Sequence, residues 1–193
     1  MKIFLGLLAS AIAFYSYVPY FRDLFAGKTK PHSFSWLIWF MLTAIAFVAQ
    51  VQDGGGPGAW ATGLTAILAF VIFVASLKKG EKHISAIDWI SLGGAFVAMG
   101  LWAFSDGPLL SVVLVTVVNA FGYVPTFRKS YHKPHEETSI TYSLSAVKFA
   151  VAIAALTEFT LLFPLSVIVI CLLLVMMLSL RRKRLGLYVD HPF

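Results

Sequence analysis

Charge is scarce in this chain, and acidic charge scarcest: nine Asp and Glu stand against 15 Lys and Arg in 193 residues, and charged residues make up 12% of the total. A soluble globular domain carries about 25% charged residues, so composition alone excludes that class. There is one cysteine, Cys171, so no intrachain disulfide can form and cysteine usage gives no redox compartment. No extended basic domain exists; the Lys and Arg residues cluster beside apolar stretches, which excludes a nucleic-acid partner in favour of a membrane surface. A nucleophile elbow, paired carboxylates in one cleft and a phosphate-cradling glycine loop are all missing, so an enzyme is not expected. The run from Gly54 to Gly58 lacks a helix-entering lysine and reads as an external turn.

What fills the chain instead is hydrocarbon: 59% of residues are hydrophobic and the mean hydropathy is +0.84. The apolar residues come in runs of roughly 16 to 20 interrupted by short polar loops, the length an α-helix needs to cross roughly 30 Å of bilayer core. Seven spans follow, approximately Ile3 to Phe21, Phe34 to Val51, Gly58 to Leu77, Ile87 to Phe104, Leu109 to Tyr123, Ile140 to Leu156 and Leu161 to Leu180. The expected fold is an all-α polytopic membrane protein whose first partner is the lipid bilayer.

Most of the basic residues fall into four clusters: Arg22, Lys28 and Lys30; Lys78, Lys79 and Lys82; Arg128, Lys129 and Lys133; and Arg181 to Arg184. With seven spans all four lie on one side, while the loops at Gln52 to Pro57, Asp106 to Pro108 and Thr157 to Glu158 carry no Lys or Arg. The positive-inside rule then puts the N-terminus outside and the C-terminus in the cytoplasm. Met1, Lys2 and the apolar run to Phe14 resemble a signal peptide, but the run continues into Tyr17, Val18 and Pro19, and its removal would leave the second half with a helix the first half lacks. Short loops and a minimal tail point to a prokaryotic plasma membrane. Trp36, Trp39, Trp60, Trp89 and Trp102 sit near span ends, where interfacial anchoring places them; Trp39 is the deepest.

The second half repeats the first. A shift of 106 residues carries Tyr17, Val18, Pro19, Phe21 and Arg22 onto Tyr123, Val124, Pro125, Phe127 and Arg128, and Ser33 to Trp36 onto Ser139 to Tyr142. The repeat unit is three helices, so a fourth must lie between the copies if both are to face the same way. The division is 1–82 for the first triplet, 83–107 for the linker helix, 108–184 for the second triplet and 185–193 for the tail, a 3+1+3 arrangement.

A proline near the basic end of the first helix of each copy, a basic loop and a Ser/Thr-rich start to the next helix resemble the PQ-loop superfamily, which includes the SWEET sugar transporters. The Gln of the Pro-Gln signature is Tyr20 in one copy and Thr126 in the other. The resemblance implies a seven-helix transporter or facilitator of a small-molecule solute, working by alternating access between two three-helix bundles. It implies equally a receptor on the same scaffold, similar to those that capture a peptide carboxylate. The asparagines with which SWEETs bind sugar in their third and seventh helices have no counterpart, since Asn119 is the only Asn in the chain.

Lys148 is the most informative residue. It lies about nine residues, or roughly 14 Å, from the start of the sixth span, near mid-membrane, where a lysine costs on the order of 2.5–3.5 kcal/mol. No Asp or Glu occupies the middle of any span to balance it. A neutral amine, a bound anion or a structural role bonded to backbone carbonyls and cavity water each remain open, so the solute is expected to be anionic or proton-coupled, with the structural role as the alternative.

Asn119, Trp39, Thr43, Thr116 and Thr65 are the other candidate solute-binding residues; Ser10 and Thr62 are further polar groups within spans. Pro19 and Pro125, with Tyr17 and Tyr123 beside them, are candidate hinges or gates, because proline removes a helical hydrogen bond; the alternative is that each proline marks a helix end. His132 and His135 have a spacing that suits a metal but no supporting ligands, so no metal site and no cofactor is expected. The other histidines, His32, His83 and His191, read as loop residues, and Asp23, Glu136 and Glu137 as solvated pairs with neighbouring bases. A retinal protein is disfavoured because the last span holds no lysine. A homo-oligomer is compatible with the sequence.

Overall fold

The computed structural model describes residues 2–52, 56–105, 107–153 and 162–187. Among the described residues there are seven α-helices and no strand: α1 Lys2–Phe25, α2 Ser33–Gln52, α3 Trp60–Lys79, α4 Ala86–Ala103, α5 Pro108–His132, α6 Ser139–Ile153 and α7 Leu162–Arg184. Short 3₁₀ turns at Gly56–Ala59 and Pro134–Glu136 lead into α3 and follow α5. Five of these helices, α2 to α5 and α7, are long and apolar enough to cross a membrane. The expected sixth span continues beyond α6 into residues outside the described set. Large apolar side chains such as Phe14, Ile67, Ile90, Val97 and Leu172 face outward and exposed, as suits a hydrocarbon solvent and not water.

Packing follows a pattern. α3 contacts both α1 and α2, and α7 contacts both α5 and α6. Within each set the backbones of the first and second helices stay apart, and the two meet through side chains, Tyr20 with Trp36 and Tyr123 with Tyr142. Across the sets α2 meets α5 and α1 meets α6, while α4 lies along α5 and also touches α2. The buried core divides accordingly: Tyr20, Trp36 and Ile72 join α1, α2 and α3; Tyr123, Tyr142 and Leu174 join α5, α6 and α7; Ile38, Ala95 and Val118 join α2, α4 and α5. Lipid tails are as apolar as leucine, so close approach decides which helices associate. Glycine supplies it at Gly122, where an added Cβ would stand 2.5 Å from Trp39 Nε1, so the α2 indole lies directly on the α5 backbone.

The loops between α1 and α2, α3 and α4, and α5 and α6 meet the end of α7 on one face, which gathers the four basic clusters. Lys30 N–H donates to Glu136 O, Arg128 donates to His83 O, and Arg182 Nε donates to Pro134 O. Asp88 starts α4 by accepting from Ser85 N–H at 2.7 Å and holds Arg128 of α5 through two nitrogens at 2.7 and 2.9 Å.

Two sequence expectations change. α1 and α5 run past Phe21 and Tyr123 to Phe25 and His132, because the polar residues that ended the expected spans find partners on this face. Pro19 and Pro125 consequently lie inside continuous helices, so neither marks a helix end.

Candidate functional site: a donor-lined cavity between six helices

At mid-depth the helices part around a cavity of about 110 Å³. Its lining comes from Tyr17 of α1, Trp36, Trp39 and Thr43 of α2, Thr65 of α3, Asn119 and Tyr123 of α5, Thr141, Ser145 and Lys148 of α6, and Phe163 of α7. α4 contributes no lining residue. Leu42, Thr43, Thr65, Lys148, Phe149 and Phe163 also border a second, larger space of about 710 Å³ that reaches Gln50, Thr62, Ser111 and Pro164. Those last residues stand at the helix ends away from the basic clusters. The inner chamber therefore widens past Lys148 into a vestibule directed at the face opposite the four basic clusters, where Lys2 is the one basic residue among those described.

Helical periodicity puts the polar groups on one side. Thr141, Ser145 and Lys148 are spaced by four and three residues on α6, and Trp36, Trp39 and Thr43 by three and four on α2, so each set forms one stripe. Thr43 and Thr65 hydroxyls donate to their own helix at Trp39 O (2.7 Å) and Ala61 O (2.8 Å), which leaves their oxygens able to accept. Buried Asn119 Nδ2, Trp39 Nε1 and Thr141 Oγ1 have no hydrogen-bond partner among the described residues. Lys148 Nζ sits 4.9 Å from the centroid of the Phe149 ring, a cation–π contact, and no acidic side chain is paired with it among the described residues. Among the described residues no Asp or Glu lines either space.

Towards the basic face the chamber is closed by two layers. The first is aromatic: Tyr17, Trp36, Trp39, Tyr123 and Tyr142 contact one another in series, with centroid separations of 6.1, 5.1, 4.8 and 6.3 Å, running from α1 through α2 and α5 to α6. The second is polar. Trp36 Nε1 donates to Tyr20 Oη, Thr126 Oγ1 to Ser35 Oγ, and Tyr142 Oη to Glu137 Oε1. The Lys129 ammonium is buried against Glu137 and also donates to Lys30 O and Glu136 O, both at 2.8 Å. Thr138 bonds Thr29 and donates to Asp23, and Lys30 pairs with Glu136 at 2.6 Å.

These contacts correct the expectation of solvated pairs. Asp23, Glu136 and Glu137 are buried: Thr138 and Lys30 reach Asp23 and Glu136 from the other half of the chain, while Lys129 and Tyr142 of its own half enclose Glu137. His32 does lie in the loop before α2, but it is fully buried there, with Nε2 3.4 Å from Asp88 Oδ2. Burial pulls its pKa from 6.5 down to about 4; Asp88 opposes that shift, and Arg128 and Lys129 reinforce it. Burial of Glu81 favours its neutral form, but hydrogen bonds from Lys133 Nζ and the His83 N–H outweigh it and hold the carboxyl below its ordinary value.

Of the residues expected at the site, Lys148, Asn119, Trp39, Thr43 and Thr65 do line the chamber, and so do Tyr17 and Tyr123. Thr116 does not: its hydroxyl is bonded to Val112 O at 2.7 Å and it borders neither space. Trp36, expected as an interfacial anchor, is buried in the chamber wall, whereas Trp60 and Trp89 are exposed as anchors should be. Thr141, Tyr142 and Ser145 line it too; Ser145 and Thr141 lie one and two turns back from Lys148, a spacing visible in the sequence, whereas Tyr142 is not on that stripe. Comparison of the chain with protein-family models, with curated proteins and with solved structures returns no match.

Proposed function

We propose that this protein carries a small solute across a membrane by alternating access between two like-facing three-helix bundles, α1 to α3 and α5 to α7, with α4 as the linker and α1 and α6 completing seven spans. The observation that supports this most is the one-sided cavity. It draws lining from all six bundle helices and none from α4, opens past Lys148 on one face, and is closed on the other by an aromatic and then a polar layer. The packing of α3 within the first bundle repeats as α7 within the second, and the cross-contacts α2 with α5 and α1 with α6 exchange under the same shift. That is the relation expected of parallel repeats about an axis along the membrane normal, and it agrees with the PQ-loop resemblance. With the basic face cytoplasmic, the vestibule faces outward.

In this reading the solute enters from the vestibule and reaches Lys148, and the bundles then rock so that the two sealing layers part. Pro19 and Pro125 lie beside those layers, where α1 and α5 lack a backbone hydrogen bond and bend most cheaply. The test is flux in proteoliposomes loaded with one radiolabelled compound at a time from sugars, amino acids and organic anions. Protein-dependent, saturable exchange of at least one class is expected, and Lys148→Met, which preserves the folded protein in detergent, should abolish it. Saturable binding with no exchange would replace this reading by a receptor on the same scaffold.

A further inference from the structure

Resting on that reading, we propose that the solute is a monocarboxylate with an apolar body, bound with its carboxylate inward among Lys148, Asn119, Trp39 and Thr141 and its body outward in the vestibule. The chamber's polar groups are lopsided. An ammonium, an amide NH₂ and an indole N–H can only donate; Asn119 Nδ2 and Trp39 Nε1 are buried without a partner, as is the Thr141 hydroxyl, and among the described residues no carboxylate lines the chamber to take them or the Lys148 ammonium. Donors without acceptors, in a place where water is scarce and a bare ammonium is costly, are satisfied together by one anionic group with several lone pairs. A sugar brings an O–H donor with nearly every acceptor oxygen, and those hydroxyl hydrogens would need acceptors where the chamber is rich in donors. A cation would meet Lys148.

Size and lining set the rest. At about 110 Å³ the chamber is smaller than a cavity of about 150 Å³ that takes one benzene ring, so it suits a carboxylate and a few atoms beyond it. The space past Lys148 is about 710 Å³, within the range of small-molecule sites, and is walled largely by apolar side chains such as Ala46, Val112, Val115, Phe149 and Phe163. Phe149 and Phe163 meet edge to face at 5.8 Å beside the neck, a surface suited to a ring or branched hydrocarbon. A phosphate monoester carries a second charge, for which the chamber offers no second cation.

Calorimetric titration of the detergent-solubilised full chain with phenylacetate, phenylacetamide, acetate and glucose separates head from body. Phenylacetate should bind about tenfold or more tighter than its neutral amide and than acetate, and glucose should not bind. Lys148→Met should abolish the preference for acid over amide, and Lys148→Arg should keep it, which rules out misfolding as the cause. Trp39 emission should change on binding in the Lys148→Arg protein. Equal affinity for acid and amide, or glucose binding alone, overturns the proposal while leaving transport intact. Tight, selective phenylacetate binding without flux in proteoliposomes would uphold the carboxylate and overturn transport.

Discussion

Single residues carry the most local consequences. Lys148 and Asn119 were legible in the sequence because each is an anomaly, a polar group amid hydrocarbon, and an anomaly needs no partner to be noticed. Glu137 and Lys129 were not, because each looks like an ordinary loop or helix-end charge until the fold turns them together and buries both. Gly122 was equally silent: its purpose is visible only with the Trp39 indole lying on it. Gly122→Ala should cost about 1–3 kcal/mol by overpacking, read by unfolding in detergent, and pairing it with Trp39→Leu should recover most of that loss. Additive losses in the double variant would mean the two do not touch. His32 sets a pH dependence. Its folded pKa, about 4, lies below the ordinary 6.5, so between those values the unfolded chain binds a proton the folded chain refuses, and stability falls as pH falls. The loss approaches roughly 3 kcal/mol on complete passage through that window, and His32→Gln should remove most of it. Glu81, depressed below 4.5, loses its contribution only below that pH, so melts taken between about pH 7 and pH 5 isolate the histidine. Equal slopes for wild type and variant would contradict the assignment.

At the scale of helices, hydropathy placed every element but misjudged where two of them stop. Transfer free energy registers the hydrocarbon stretch alone, and α1 and α5 continue into a polar layer that satisfies its own hydrogen bonds, so Asp23 and Lys129 extend their helices where a window average ends them. The prolines were recognised from the repeat, yet whether they end or interrupt a helix depends on those following residues. Their placement inside α1 and α5 makes them testable as bending points. Pro125→Ala should leave the folded protein at least as stable, since a backbone hydrogen bond can form. Phenylacetate affinity should stay within about twofold and exchange in proteoliposomes should fall about tenfold. Unchanged exchange would remove α5 bending from the cycle.

For the whole molecule the question is what holds one side shut. The polar layer joins the two halves through Lys129 and the Lys30 carbonyl, Lys30 and Glu136, and Thr138 with Thr29 and Asp23. The internal repeat brought these segments to the same face from sequence alone, but their interlocking required three-dimensional burial to see. Removing one member of a buried pair leaves the other charge uncompensated, so Lys129→Met should destabilise the folded protein by about 3–5 kcal/mol. Exposed Lys183 at the same end should tolerate Met within about 0.5 kcal/mol. Similar losses for both would deny the layer its role. The most direct test of the account is thiol accessibility from each side of the membrane. In a Cys171→Ala background, Thr62→Cys in the vestibule and Lys30→Cys on the basic face are exposed to a membrane-impermeant maleimide in right-side-out and in inverted vesicles. The account predicts that Thr62→Cys reacts only from outside, and more slowly with phenylacetate present, while Lys30→Cys reacts only from the cytoplasmic side. Labelling of both positions from the same side would contradict a cavity that opens away from the basic face.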